Sequence, residues 1–185
     1  MAGYIGIGFV ALLAVGFILI NNQIIGKKNK VKEAFGSIDA YLKKRFDLIP
    51  NLVAVVNKYA AHEKEVLSEI TQIRSKLDTA DSASEKMGVS NALTSLLSGL
   101  HMVVENYPDL KADGQYLNLQ HNLTDVEEQI SAARRTYNAA ITKYNNSIQM
   151  FPGNVVATIR GDKAGTILEA PENERENIDL VEILD

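Results

Sequence analysis

The first 26 residues of this 185-residue chain carry no charged side chain. From Tyr4 to Ile25 they read YIGIGFVALLAVGFILINNQII. At ~1.5 Å per residue such a run spans roughly 33 Å as a helix, enough to cross a hydrocarbon core. Its apolar part ends at Ile20, which puts Asn21, Asn22 and Gln23 at headgroup depth. A cleaved signal peptide would need a basic start, a shorter apolar stretch and a small-x-small cleavage site, none of which is present. A buried core helix does not fit a run that is apolar on every face. We therefore read residues 1–26 as an uncleaved transmembrane anchor.

The flanks set its orientation. Lys27, Lys28, Lys30 and Lys32 follow the run and no Lys or Arg precedes it. Positive charge stays on the cytoplasmic side, so the short N-terminus is expected outside and the rest inside a bacterial inner membrane. Segment 27–45 holds seven basic and two acidic residues and suits an anionic inner leaflet.

After the anchor the apolar period becomes helical. Val31, Ile38, Arg45, Leu52, Tyr59, Val66 and Ile73 form one seven-residue series. Phe35, Leu42, Ile49, Val56, Glu63, Ile70 and Leu77 form another, the a/d pattern of a packed, coiled-coil-like seam. Pro50 interrupts it. Either Asp47 caps a new helix after a sharp turn near Phe46, or one long helix kinks at Pro50. The unbroken heptad phase and the lack of a Gly favour the kink, and both readings stay open. Ser82 and Glu85 have capping-box spacing, and the next helix carries Val89, Leu93, Leu96, Leu100, Val103 and Tyr107 before Pro108 stops it. Asp113 offers an N-cap to a last helix from Gly114 to Met150. That helix's seam is Tyr116, Leu123, Ile130, Tyr137, Tyr144 and Phe151, flanked by Leu119, Val126, Ala133 and Ala140, and Pro152-Gly153 ends it.

Three parts result: the anchor at 1–26, a bundle at 27–152 and an extended acidic C-terminal tail at 153–185. Residues 153–170 lack helical periodicity, and 162–185 hold eight acidic and two basic side chains. The tail is expected to serve partners rather than stability, with Ile178–Leu184 apolar enough to dock. The fold class is all-α: an elongated antiparallel bundle of about four helices behind one transmembrane helix.

The motifs in this bundle resemble the LemA family of small bacterial membrane-anchored helical proteins. The resemblance rests on Arg45, Asp47, Leu48, Ile49, Pro50, Asn51 and Leu52, then Tyr107, Pro108, Leu110 and Lys111. It continues through Gln120, Arg134, Tyr137, Asn138, Tyr144, Asn145, Phe151 and Pro152, and covers roughly Lys27 to Gly161. It implies a helical bundle behind one span, no known catalytic activity, and an association with membrane protein quality control. These family residues read as structural. Arg45 bonds freed carbonyls or a carboxylate on a neighbouring helix, and the asparagines, seven residues apart beside the seam, fix helix register.

Chemistry is sparse. With no Cys, thiolate metal sites and cysteine nucleophiles are excluded. Gly6-x-Gly8 lies inside the apolar run with no strand before it, so a dinucleotide fingerprint fails. His62-Glu63 begins an H-E-x-x-H motif that Val66 breaks. A net charge of −4 argues against a nucleic-acid footprint. We expect a non-enzyme without cofactor or metal: a cytoplasmic interaction module, scaffold or adaptor, held to the membrane and bound to a protein partner. The alternative is a self-assembling or bilayer-sensing surface protein, which would be a homo-oligomer.

Overall fold

A computed structural model describes residues 2–59 and 64–169. His62, Glu63 and the Ile178–Leu184 stretch lie outside the described residues, as do the side chains of Val66, Ile70 and Val103. The described residues form six helices and no strand: α1 (Ala2–Asn57), α2 (Lys64–Thr79), α3 (Ala83–Glu105), α4 (Pro108–Lys111), α5 (Gly114–Gln149) and α6 (Gly153–Arg160).

Anchor and bundle share one helix. From Tyr4 to Leu19 α1 stands clear of the rest of the protein, its large apolar side chains exposed along the run. It then enters the bundle without interruption and passes through Pro50. The turn near Phe46 is thus not made, and the chain first reverses after Asn57, where Lys58 and Tyr59 donate to the carbonyls of Val55 and Val56. Proline deletes one ladder hydrogen bond. Here Phe46, Ile49 and Val53 are buried on either side of it, and that packing holds the helix together. Asp47 is no cap; its carboxylate meets Arg74 of α2 at 3.3 Å.

α5 runs antiparallel to α1 along the whole bundle, the largest interface in the molecule. The core lies along it in three clusters. Nearest the anchor, Ile24 packs with Tyr144, Ile148, Val156 and Ala157. In the middle, Ile38, Leu42, Phe46 and Ile49 meet Val126, Ile130, Ala133 and Tyr137, with Leu77 of α2 and Leu93 of α3. At the far end Leu52 and Val56 meet Leu100, Val104, Leu110 and Tyr116. Phe151 departs from the seam: it is 82% exposed.

Local signals set the helix starts. Ser82 Oγ accepts from Glu85 N–H, and the Glu85 carboxylate accepts from Asp81 and Ser82 N–H, closing the capping box. Asp113 Oδ1 accepts from Gln115 and Tyr116 N–H, and its other oxygen accepts from the Tyr59 hydroxyl. These bonds hold the Asp113 carboxyl below the ordinary carboxylate range, the Tyr116 N–H contributing most. Pro108 opens α4 at its first turn instead of closing α3.

Residues 153–169 differ most from the sequence expectation. Gly153–Arg160 is helical, and Gly161, at φ 69°, ends it in the left-handed conformation that glycine adopts freely. Residues 162–169 run without helix back along α5, and Leu168 is buried in the central core cluster.

Candidate functional site

α3 leans on α2 and α1 rather than on α5, so the seam between α3 and α5 stays open as a cleft of about 1130 Å³. Arg45 and Leu52 of α1 floor it. Asn91, Thr94 and Ser98 line the α3 wall, and Gln120, Thr124 and Glu127 the α5 wall. His101 Nδ1 and the Tyr116 hydroxyl, 3.1 Å apart, bridge the walls at the far end, and Thr166–Glu169 close the other.

Arg45 determines what the cleft floor is. Heptad position places it on the packed face of α1, where it is 4% exposed. Its guanidinium donates to Ser90 Oγ at 2.7 Å and to Thr94 Oγ1 at 2.9 Å, and lies 3.0 Å from Glu127 Oε2. The glutamate contact is ionic rather than a directed hydrogen bond, because Oε2 lies off the N–H direction. Burial pushes the Arg45 pKa down and Glu127 pushes it back up. The guanidinium stays charged, as arginine does in proteins. One side chain of α1 therefore ties α3 to α5 across the open seam.

Asn138 and Asn145 hold the segment that follows α6. The Asn138 amide donates to Leu168 C=O at 2.8 Å and accepts from Leu168 N–H at 2.9 Å. Asn145 does the same with Gly165, at 2.8 and 2.9 Å. Each side-chain amide pairs with both backbone groups of one residue, as the peptide of a neighbouring chain segment would. Seven helical residues rise ~10.5 Å and three extended residues ~10 Å, so the two clamps fall in register. A Cβ at Gly165 would come within 2.5 Å of Ile141 Cδ1, so a larger residue there would push the end of the Ile141 side chain aside. Asp162 fastens the start of this strap. Its carboxylate, 3% exposed, meets Lys28 Nζ at 2.8 Å and Arg160 Nε at 2.6 Å.

The remaining family residues scatter. Tyr137, Tyr144 and Arg134 are buried on α5, Leu48 is half-buried and Leu110 fully buried. Asn51, Tyr107, Lys111 and Pro152 lie at the surface, and Lys111 is 3.8 Å from Glu105. Among the described residues no three His, Asp or Glu side chains converge as metal ligands. Sequence reasoning missed the strap. Its one signal was the asparagine pair at heptad spacing, read then as helix-to-helix register.

Comparison with known proteins completes the picture. The sequence model described as the LemA family matches residues 34–181. The chain is 31% identical over 163 residues to Protein LemA of Metamycoplasma hominis, covering 88% of this chain and 74% of that one. It is 24% identical over 183 residues to magnetosome protein MamQ 2 of Paramagnetospirillum magneticum, covering 85% of this chain and 66% of the relative. To MamQ of Magnetospirillum gryphiswaldense it is 22% identical over 153 residues, covering 69% and 56%.

Proposed function

The chain belongs to the LemA family, and from that premise we propose that it is a membrane-anchored cytoplasmic interaction module whose α3–α5 cleft receives a segment of a protein partner. The observation that carries this reading is the cleft itself: an open seam floored by a buried arginine that hydrogen-bonds the α3 wall and ion-pairs with the α5 wall. Arg45 is already satisfied, so it serves as a strut. Recognition falls to the Asn, Ser, Thr and Gln side chains on the walls, which suit the backbone of an extended or helical segment. The charge-free run of α1 followed by lysines supports an N-out, C-in topology, with the bundle on the cytoplasmic side of the inner membrane. The likeness to LemA and MamQ proteins supports membrane association, and a role beside membrane quality control is compatible with this placement.

The competing reading is a self-assembling or bilayer-sensing surface protein. Its heptad motive weakens, because Ile38, Leu42, Ile49 and Val56 are consumed inside the bundle. Its basic segment remains. A photo-crosslinking residue at Ser98 in native membranes separates the two. The interaction reading expects a heterologous adduct that disappears when Asn91→Trp fills the cleft. Ladders of self-adducts would establish the competitor instead.

A further inference from the structure

The end of α5 and the face of α6 carry an apolar surface that nothing in the bundle covers. Outside the span, exposed large apolar side chains are few among the described residues, and Met150, Phe151, Val155 and Ile159 fall within ten residues of one another. Val155 and Ile159, four residues apart, share one face of α6, and Phe151 lies in the turn just before it. The opposite face of α6, Gly153, Val156 and Ala157, is buried. Gly153 packs so closely on the Ser147 carbonyl that no Cβ fits, which fixes α6 against the end of α5.

Height along α1 gives this surface its meaning. Because α1 and α5 are antiparallel, each step toward the anchor on α1 is a step toward the C-terminus of α5. Arg45 lies beside Glu127, and Asp162 joins Lys28 to the Tyr144 hydroxyl. Ile24 shares a buried cluster with Ile148. Continued by one residue, that register brings Gln149, the last residue of α5, level with Gln23, and Phe151 follows two residues on. The guanidinium of Arg160, at the other end of α6, hydrogen-bonds the Asn21 side chain. Asn21 is the first polar residue after the apolar run, at headgroup depth.

We infer that α6 is an interfacial helix, a second membrane contact whose Phe151, Val155 and Ile159 enter the bilayer surface beside the span. An amphipathic helix lying in the interface buries its apolar face ~5–10 Å into the headgroup and acyl boundary. Lys27, immediately after the span, provides adjacent positive charge for an anionic leaflet. The inference rests on the reading of α1 as the anchor. Two contacts at one height would set how the bundle is oriented on the membrane, which a single helix crossing the bilayer does not do.

The chain has no Trp and no Cys, which makes the test clean. Full-length Phe151→Trp and Ile159→Trp are reconstituted in vesicles of phosphatidylcholine and phosphatidylglycerol with brominated acyl chains. Leu12→Trp reports the span, and Leu117→Trp, half-exposed at the far end of the bundle, reports water. Quenching at 151 and 159 several-fold above that at 117 is the expected result. Quenching at 12 but only background at 151 and 159 overturns the interfacial helix and leaves the anchor standing. Background at all four positions overturns both. Should a tryptophan disturb packing, a nitroxide on Val155→Cys gives an independent readout. Greater collision with oxygen than with a water-soluble nickel chelate supports the inference, and the reverse overturns it.

Discussion

Arg45 illustrates how much one buried side chain decides in a bundle with an open seam. Removing one partner of a buried ion pair typically costs ~3–5 kcal/mol. Glu127 is 46% exposed, so Arg45→Ala is expected near the lower end of that range. Arg45→Lys should recover only part of it, because an ammonium cannot reach Ser90, Thr94 and Glu127 together. Thermal unfolding of the full chain in detergent, followed by circular dichroism, measures both. The asparagine clamps make a parallel case: Asn138→Ala strips two hydrogen bonds from Leu168 and should cost roughly 1–3 kcal/mol. Asp162 adds a pH dependence. Its hydrogen bond from Lys28, followed by that from Arg160, holds its carboxyl below the ordinary 3.8. The same contact with Asp162 raises Lys28 above 10.5. Asp162 therefore contributes fully above the unfolded value, and the contribution is lost as pH falls through its depressed folded value. Lys28 contributes fully below its unfolded value and loses this as pH rises through its raised folded value. Acid and base titrations of Asp162→Asn should show the wild-type advantage vanishing at both extremes. The chemistry of these residues was partly legible in the sequence. An arginine on an apolar heptad position announces a buried charge, but the serine, threonine and carboxylate that satisfy it come from two distant helices.

Elements differ in how openly the sequence declares them. The span, the capping box at Ser82 and the Asp113 cap are local, and the helices begin where these signals stand. The end of α1 is not local. Pro50 is the strongest breaker in the segment, yet buried neighbours on both sides carry the helix past it. α1 ends instead at Asn57, where no Gly or Pro stands. The strap was illegible for another reason. An extended segment lying on a helix has no period of its own, and its signature is written on the helix as asparagines seven residues apart. This changes the expected role of the tail. Ending the chain after Gly161 removes the Asp162 clasp, both asparagine pairings and the buried Leu168. A buried leucine alone is worth ~1.5–3 kcal/mol, and each kcal/mol shifts Tm by ~2–4 °C in a domain of this size. Truncation after Gly161 should therefore lower Tm by several degrees, with Leu168→Ala reproducing much of the loss. An unchanged Tm would mean that the strap rests on the bundle without supporting it.

At the scale of the whole molecule, anchor and bundle are not separable at residue 27. Ile24 lies in the same buried cluster as Val156 and Ala157, so the bundle begins before the lysines and continues past Pro152. A fragment of residues 21–169 should melt cooperatively. A fragment of residues 29–153, which lacks Ile24, α6 and the strap, should melt lower by roughly 10 °C or more. This continuity underlies the central proposal, that one uncleaved helix holds the bundle against the cytoplasmic face of the membrane. The direct measurement places single cysteines at Ala2 and Ser82 and treats intact cells with a membrane-impermeant thiol reagent. The account predicts labelling at Ala2, and at Ser82 only after the cells are opened; labelling of Ser82 but not Ala2 in intact cells would contradict it.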